Sequence, residues 1–106
     1  MWVVNGESLT MTEKDWGMSL PITITGAVFA PNDEVKFTLK AAPNGAVIFE
    51  KVFTNIVNNT VDLRLTEEES NLLKVGGYTY ILDWYQDGAF FCNIIPRAPL
   101  RVVDKA

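Results

Sequence analysis

Four stretches of this chain alternate between apolar residues and more polar ones, a period of two that fits a β-strand and not a helix. Met18, Leu20, Ile22 and Ile24 alternate with Ser19, Pro21, Thr23 and Thr25. Val35, Phe37 and Leu39 alternate with Glu34, Lys36, Thr38 and Lys40, and Val61, Leu63 and Leu65 with Thr60, Asp62 and Arg64. In the fourth, Tyr78, Tyr80, Leu82 and Trp84 stand opposite Thr79, Ile81, Asp83 and Tyr85. Such segments predict strands of an antiparallel sheet with one dry and one wetter face. Pro21 cannot donate a ladder hydrogen bond, so its strand is expected at a sheet edge or a bulge.

Three less regular runs extend the set. Ala46 to Phe53 and Ala89 to Ile95 are apolar on both faces, as a central or interface strand would be. Leu100 to Val103 reads as a short terminal strand after Pro96 and Pro99, and Ser8 to Thr12 as a weakly marked first strand. Turn signals separate these segments: Pro31-Asn32-Asp33, Pro43-Asn44-Gly45, and Asp87-Gly88 as a two-residue hairpin loop. Thr66-Glu67-Glu68-Glu69 spells a capping box that opens one short helical turn near 66–73. About seven or eight strands with turns every 8–12 residues predict an all-β, two-sheet sandwich, with 1–106 as a single domain.

Composition narrows the chemistry more than it identifies it. The 106 residues are 48% hydrophobic and 21% charged, which excludes intrinsic disorder. The formal charge of -4 disfavours nucleic acid and anionic membranes as partners. No stretch approaches a membrane span, and the N-terminus lacks the basic and apolar regions of a signal peptide. There is no histidine, so triads, dyads and zinc sites that depend on it are ruled out. The single cysteine, Cys92, reads as an inert packing thiol. Asn58-Asn59-Thr60 spells a glycosylation acceptor that matters only in a secreted chain. Glu67, Glu68 and Glu69 belong to a helix start, and Asp15, Asp33 and Glu34 match no calcium loop. The expectation is a protein that is not an enzyme, with no cofactor, no metal and no small-molecule substrate.

The aromatic residues are the remaining functional candidates. Most are expected in the core, but Trp84 and Tyr85 are adjacent in one strand and must face opposite sides. Trp16 lies outside the clear strands, while Phe49 and Phe91 lie in the doubly apolar runs. Trp16, Phe49, Trp84, Tyr85 and Phe91 are therefore the candidate interaction surface. The alternative is a carbohydrate-stacking platform made from Trp16, Trp84 or Tyr85.

The run Leu72-Leu73-Lys74-Val75-Gly76-Gly77-Tyr78-Thr79-Tyr80 resembles the tyrosine corner of immunoglobulin-like sandwiches, with Tyr78 as the corner residue. Asp33-Glu34-Val35-Lys36-Phe37-Thr38-Leu39-Lys40 followed by Gly77-Tyr78-Thr79-Tyr80-Ile81-Leu82 is similar to short immunoglobulin-like proteins of bacteriophage and prophage structural modules. It also resembles the N-terminal sandwich domains of phage baseplate upper proteins. The Phe90 to Arg97 stretch departs from that pattern in being more apolar and interrupted by Pro96. The resemblance implies a structural component that packs against copies of itself or other phage proteins. It would be made in the bacterial cytoplasm, and then either carried in the virion or kept by the host as a prophage protein. No functional residue is transferred by it.

Overall fold

The computed structural model describes residues 2–41 and 45–104. It is an all-β sandwich of eight strands and one short helix. In chain order these are β1 (Trp2–Asn5), β2 (Ser8–Thr12), β3 (Pro21–Thr23), β4 (Asp33–Ala41), β5 (Val47–Phe53), β6 (Thr60–Asp62), α1 (Glu67–Asn71), β7 (Gly76–Gln86) and β8 (Ala89–Val103). The larger sheet has the order β1-β2-β8-β7-β4-β5, and β3 and β6 form the smaller sheet. Among the described residues, all strand pairings are antiparallel except one. β2 runs parallel to the end of β8, with Leu9 opposite Leu100 and Thr12 opposite Val103.

The alternating residues point as expected. Val35, Phe37 and Leu39 of β4 meet Trp84, Leu82 and Tyr80 of β7 across the sheet, all buried. Against this face lie Leu20 and Ile24 around β3, with Val61, Leu63 and Leu65 in and after β6. Burying each such side chain contributes about 1.5–3 kcal/mol, so the shared core is the main source of stability. Phe37 and Tyr80 stack at 5.4 Å between ring centroids in its middle.

Four expectations need correction. Trp2–Asn5 forms a strand that its irregular pattern did not announce, paired to β2 through the Gly6-Glu7 turn. The strand around Met18 to Thr25 is regular only over Pro21–Thr23, and the one at Thr60 only to Asp62, although the buried alternation continues beyond both. Val47–Phe53 is not central: it closes one edge of the larger sheet. Its double apolarity arises because Phe49 and Phe53 face the core while Val47 and Val52 stay exposed. Leu100 to Val103 is not a separate strand but the end of the 15-residue β8. Pro43 and Asn44 of one expected turn lie outside the described residues.

The helix follows its capping signal closely. The Thr66 hydroxyl accepts from the Glu69 N–H at 3.2 Å, and Glu69 Oε1 accepts from the Thr66 N–H at 2.8 Å. The same oxygen takes the Lys51 ammonium at 2.7 Å, tying the helix to the inner face of β5. At the next corner the Tyr78 hydroxyl accepts from the Lys74 N–H at 2.9 Å and donates to the Lys74 carbonyl at 3.3 Å. The ring thereby holds the turn that leads into β7.

Tyr80 carries a second anchor, donating its hydroxyl proton to the Glu7 carbonyl in the β1–β2 turn. Burial, reinforced by the nearby Glu7 carboxylate, pushes the phenol from 10.0 up to about 12. A phenol that resists ionisation only when folded stabilises the fold fully below its unfolded pKa of about 10, and that contribution is lost as pH rises through about 12. Urea midpoints measured across this range should therefore fall more steeply for the native chain than for Tyr80→Phe. Equal slopes would show that the buried phenol is not what couples stability to alkali.

Candidate functional site

The β7–β8 hairpin turns on Asp87 and Gly88, both in the left-handed region at φ 51° and 80°. Those dihedrals are the two-residue turn that matches the twist of a hairpin, and Gly88 adopts its angle without a side-chain penalty. Gln86 and Ala89 face each other next to the loop, with Tyr85 opposite Phe90. A register shift between Trp84 and Tyr85 sends the two phenylalanines that follow the turn to different aromatic partners. Phe90 sits edge-on to Tyr85 at 5.8 Å, and Phe91 sits edge-on to Trp84 at 4.8 Å. Both phenylalanines remain over half exposed, at 55% and 53%.

Trp84 is the brace behind Phe91. Only 9% of it is exposed, and it packs on Phe29 at 4.6 Å. Its indole Nε1–H donates to Asp33 Oδ2 at 3.1 Å. That oxygen also accepts the Ala30 N–H at 2.9 Å, while the Asp33 N–H returns to the Ala30 carbonyl at 3.0 Å. The expected Pro31-Asn32-Asp33 turn is therefore locked by a buried carboxylate that also orients the tryptophan. Sequence reading identified the turn and missed this second role, because the partner indole lies 51 residues away.

On the opposite face, Lys36 Nζ lies 5.1 Å from the Tyr85 ring centroid and 3.4 Å from Glu50 Oε2. Burial works to lower the Lys36 pKa, but Glu50 and Tyr85 together outweigh it and hold the ammonium above its ordinary value. A cation over a ring flanked by Phe90 gives this face a mixed, sticky character.

The five candidate aromatics thus separate. Tyr85 and Phe91 share the hairpin end, on opposite faces, and Trp84 lies beneath Phe91. As a stacking platform Trp84 is corrected: its ring is in the core, where packing and a hydrogen bond hold it. Phe49 lies half-buried on the edge strand β5, 6.2 Å from Phe37. Trp16 is 54% exposed but stands elsewhere, in the loop that follows β2 and near the finish of β8. Phe29 and Phe90 belong to the hairpin-end cluster and were not singled out from sequence. Phe90 had a visible signal, since it is adjacent to Phe91 just past an Asp-Gly turn.

Among the described residues, no helix is long and apolar enough to cross a membrane. No group of three histidine, cysteine or acidic side chains there is placed to hold a metal ion. No family model, no curated protein and no solved structure matches the chain.

Removing the Asp33 carboxylate leaves the Trp84 indole N–H and the Ala30 N–H without an acceptor, at a cost of about 2 kcal/mol. Asp33→Ala should lower the urea unfolding free energy by about that amount and shift the tryptophan emission of the folded state. A change within error on both readings would show that the carboxylate does not hold Trp84.

Proposed function

We propose that this chain is an immunoglobulin-like module with a structural role in a phage- or prophage-type assembly, acting by docking and not by catalysis. The reading is carried by the hairpin end: two adjacent exposed phenylalanines held on opposite faces of a tightly turned hairpin, each backed by a second aromatic ring. Exposed aromatics on a rigid support lose little conformational entropy on binding and are the type of residue that dominates protein interfaces.

The strand arrangement supports the immunoglobulin-like assignment. In chain order, β3, β4, β5, β6, β7 and β8 take the places of strands B, C, C′, E, F and G. The B–E pair then faces a sheet in which G, F, C and C′ are neighbours, as they are here. Tyr78 lies near the start of strand F, and Tyr80 stands where antibody domains place a cysteine. Its stack on Phe37 and its bond to the Glu7 carbonyl tie β7 to β4 and to the β1–β2 turn within the larger sheet, and packing alone joins it to the β3–β6 pair.

In this reading the partners are copies of the chain or neighbouring structural proteins. The protein is made in the bacterial cytoplasm and retained in the particle. Size-exclusion chromatography with light scattering tests the self-association arm. The native chain is expected to form a discrete oligomer as concentration rises, and Phe90→Ser with Phe91→Ser to remain a monomer of unchanged melting temperature. A native chain that is monomeric throughout, or an oligomer indifferent to both substitutions, would remove the hairpin end as a self-docking surface.

A further inference from the structure

A second surface lies at the other end of the sandwich, where β8 finishes. There Trp16, Gly17, Arg64, Leu65, Thr66, Glu67 and Glu68 line an open groove of about 480 Å³. Trp16 is absent from the buried core and from the aromatics packed against it. Its exposure is nevertheless not that of a loose loop. The Glu13 N–H donates to the Val103 carbonyl at 2.8 Å, and the Gly17 N–H, at φ 74°, donates to the Leu65 carbonyl at 2.9 Å. Farther along, the Ser19 hydroxyl and the Leu20 N–H both donate to Asp62 Oδ1, at 2.7 and 2.8 Å. The loop carrying the indole is thus fastened on both sides of Trp16, to the end of β8 before it and to the segment after β6 beyond it.

Asp62 also connects this anchor to the groove. Its second oxygen, Oδ2, lies 3.3 Å from Arg64 Nη2. One carboxylate therefore fixes the loop with one oxygen and steadies the guanidinium with the other. The groove combines an exposed indole on an anchored loop, a guanidinium paired at one end with Asp62, and two exposed carboxylates, Glu67 and Glu68. An exposed apolar face beside a guanidinium and carboxylates suits a pyranose, whose axial C–H face is apolar and whose rim is hydroxylated. Asp62 already pairs with the one guanidinium, so the uncompensated Glu67 and Glu68 carboxylates favour a sugar that carries an amine.

We infer that the Trp16 groove is a saccharide-binding site whose preferred ligand is an amino-bearing pyranose. Trp16 stacks on the ring, Arg64 donates to its hydroxyls, and Glu67 and Glu68 accept from hydroxyl and ammonium groups. This site is independent of the hairpin end, so either reading can fail without the other.

The test is titration of the full chain with the trisaccharides of glucosamine, N-acetylglucosamine and glucose, followed by tryptophan fluorescence and by two-dimensional NMR. The glucosamine trisaccharide is expected to bind best, quenching and shifting the Trp16 indole while leaving the Trp84 indole unmoved. Trp16→Ala should weaken binding by about tenfold or more, with Trp16→Phe recovering part of it. Arg64→Met should weaken binding with the melting temperature unchanged, and Phe91→Ser should have no effect. Absence of any saccharide-induced shift at Trp16 at millimolar concentration overturns the site. Trilysine matching the glucosamine trisaccharide, with binding that survives Trp16→Ala, also overturns it, because the groove is then only an acidic patch.

Discussion

The architecture depends on one strand serving two neighbours. β8 pairs antiparallel with β7 along nearly its whole length, and its last four residues also take β2 in parallel on the other side. The two prolines of β8 fit this division. Pro96 and Pro99 fall before the segment that pairs with β2, where β8 has β7 alone as a neighbour. A proline whose nitrogen faces the open side of such a strand removes no ladder hydrogen bond and blunts the edge. From Leu100 onward the strand is proline-free, and there it closes the sheet. Leu100 and Val102 are buried beside Leu9 and Met11 at this seam.

That division also explains how much of the fold could be read in advance. Alternation made β4 and β7 plain, because each is central and sorts its side chains cleanly between core and outer face. It marked the apolar face around β3 and β6 but overstated their regular length, since buried alternation persists where pairing stops. The capping box and the Asp87-Gly88 turn are local chemistry and were legible residue by residue. Asn58-Asn59 is a turn of the same left-handed type, at φ 55° and 54°, hidden behind its resemblance to a glycosylation acceptor. What stayed illegible is non-local. The parallel seam joins residues about 90 apart in sequence, and β1 exists only because β2 is held there.

The candidate surfaces follow the same rule. Sequence reading recognised that either Trp84 or Tyr85 must leave the core, but not which one. The period of β7 makes the choice: Trp84 shares the core face with Leu82 and Tyr80, where the Asp33 carboxylate holds its indole, and Tyr85 is left to Lys36 on the opposite face. Trp16 was visible as a stray aromatic. Its groove was not, because the Arg64 and Glu67 side chains reach it only through the packing of the β2–β3 loop on the segment after β6. The two ends of one long strand thus carry two unlike surfaces: apolar and knob-like where β8 begins, aromatic and charged where it finishes.

Hydrogen exchange across β2 and the last residues of β8 tests the seam directly. The amides of Leu9 to Met11 and of Leu100 to Val102 are expected to exchange as slowly as those in the middle of β7, because all three segments open only when the sandwich does. Amides at Leu9 to Met11 that exchange rapidly while β7 remains protected would show that β2 is not joined to β8, and that the sandwich holds together without its parallel seam.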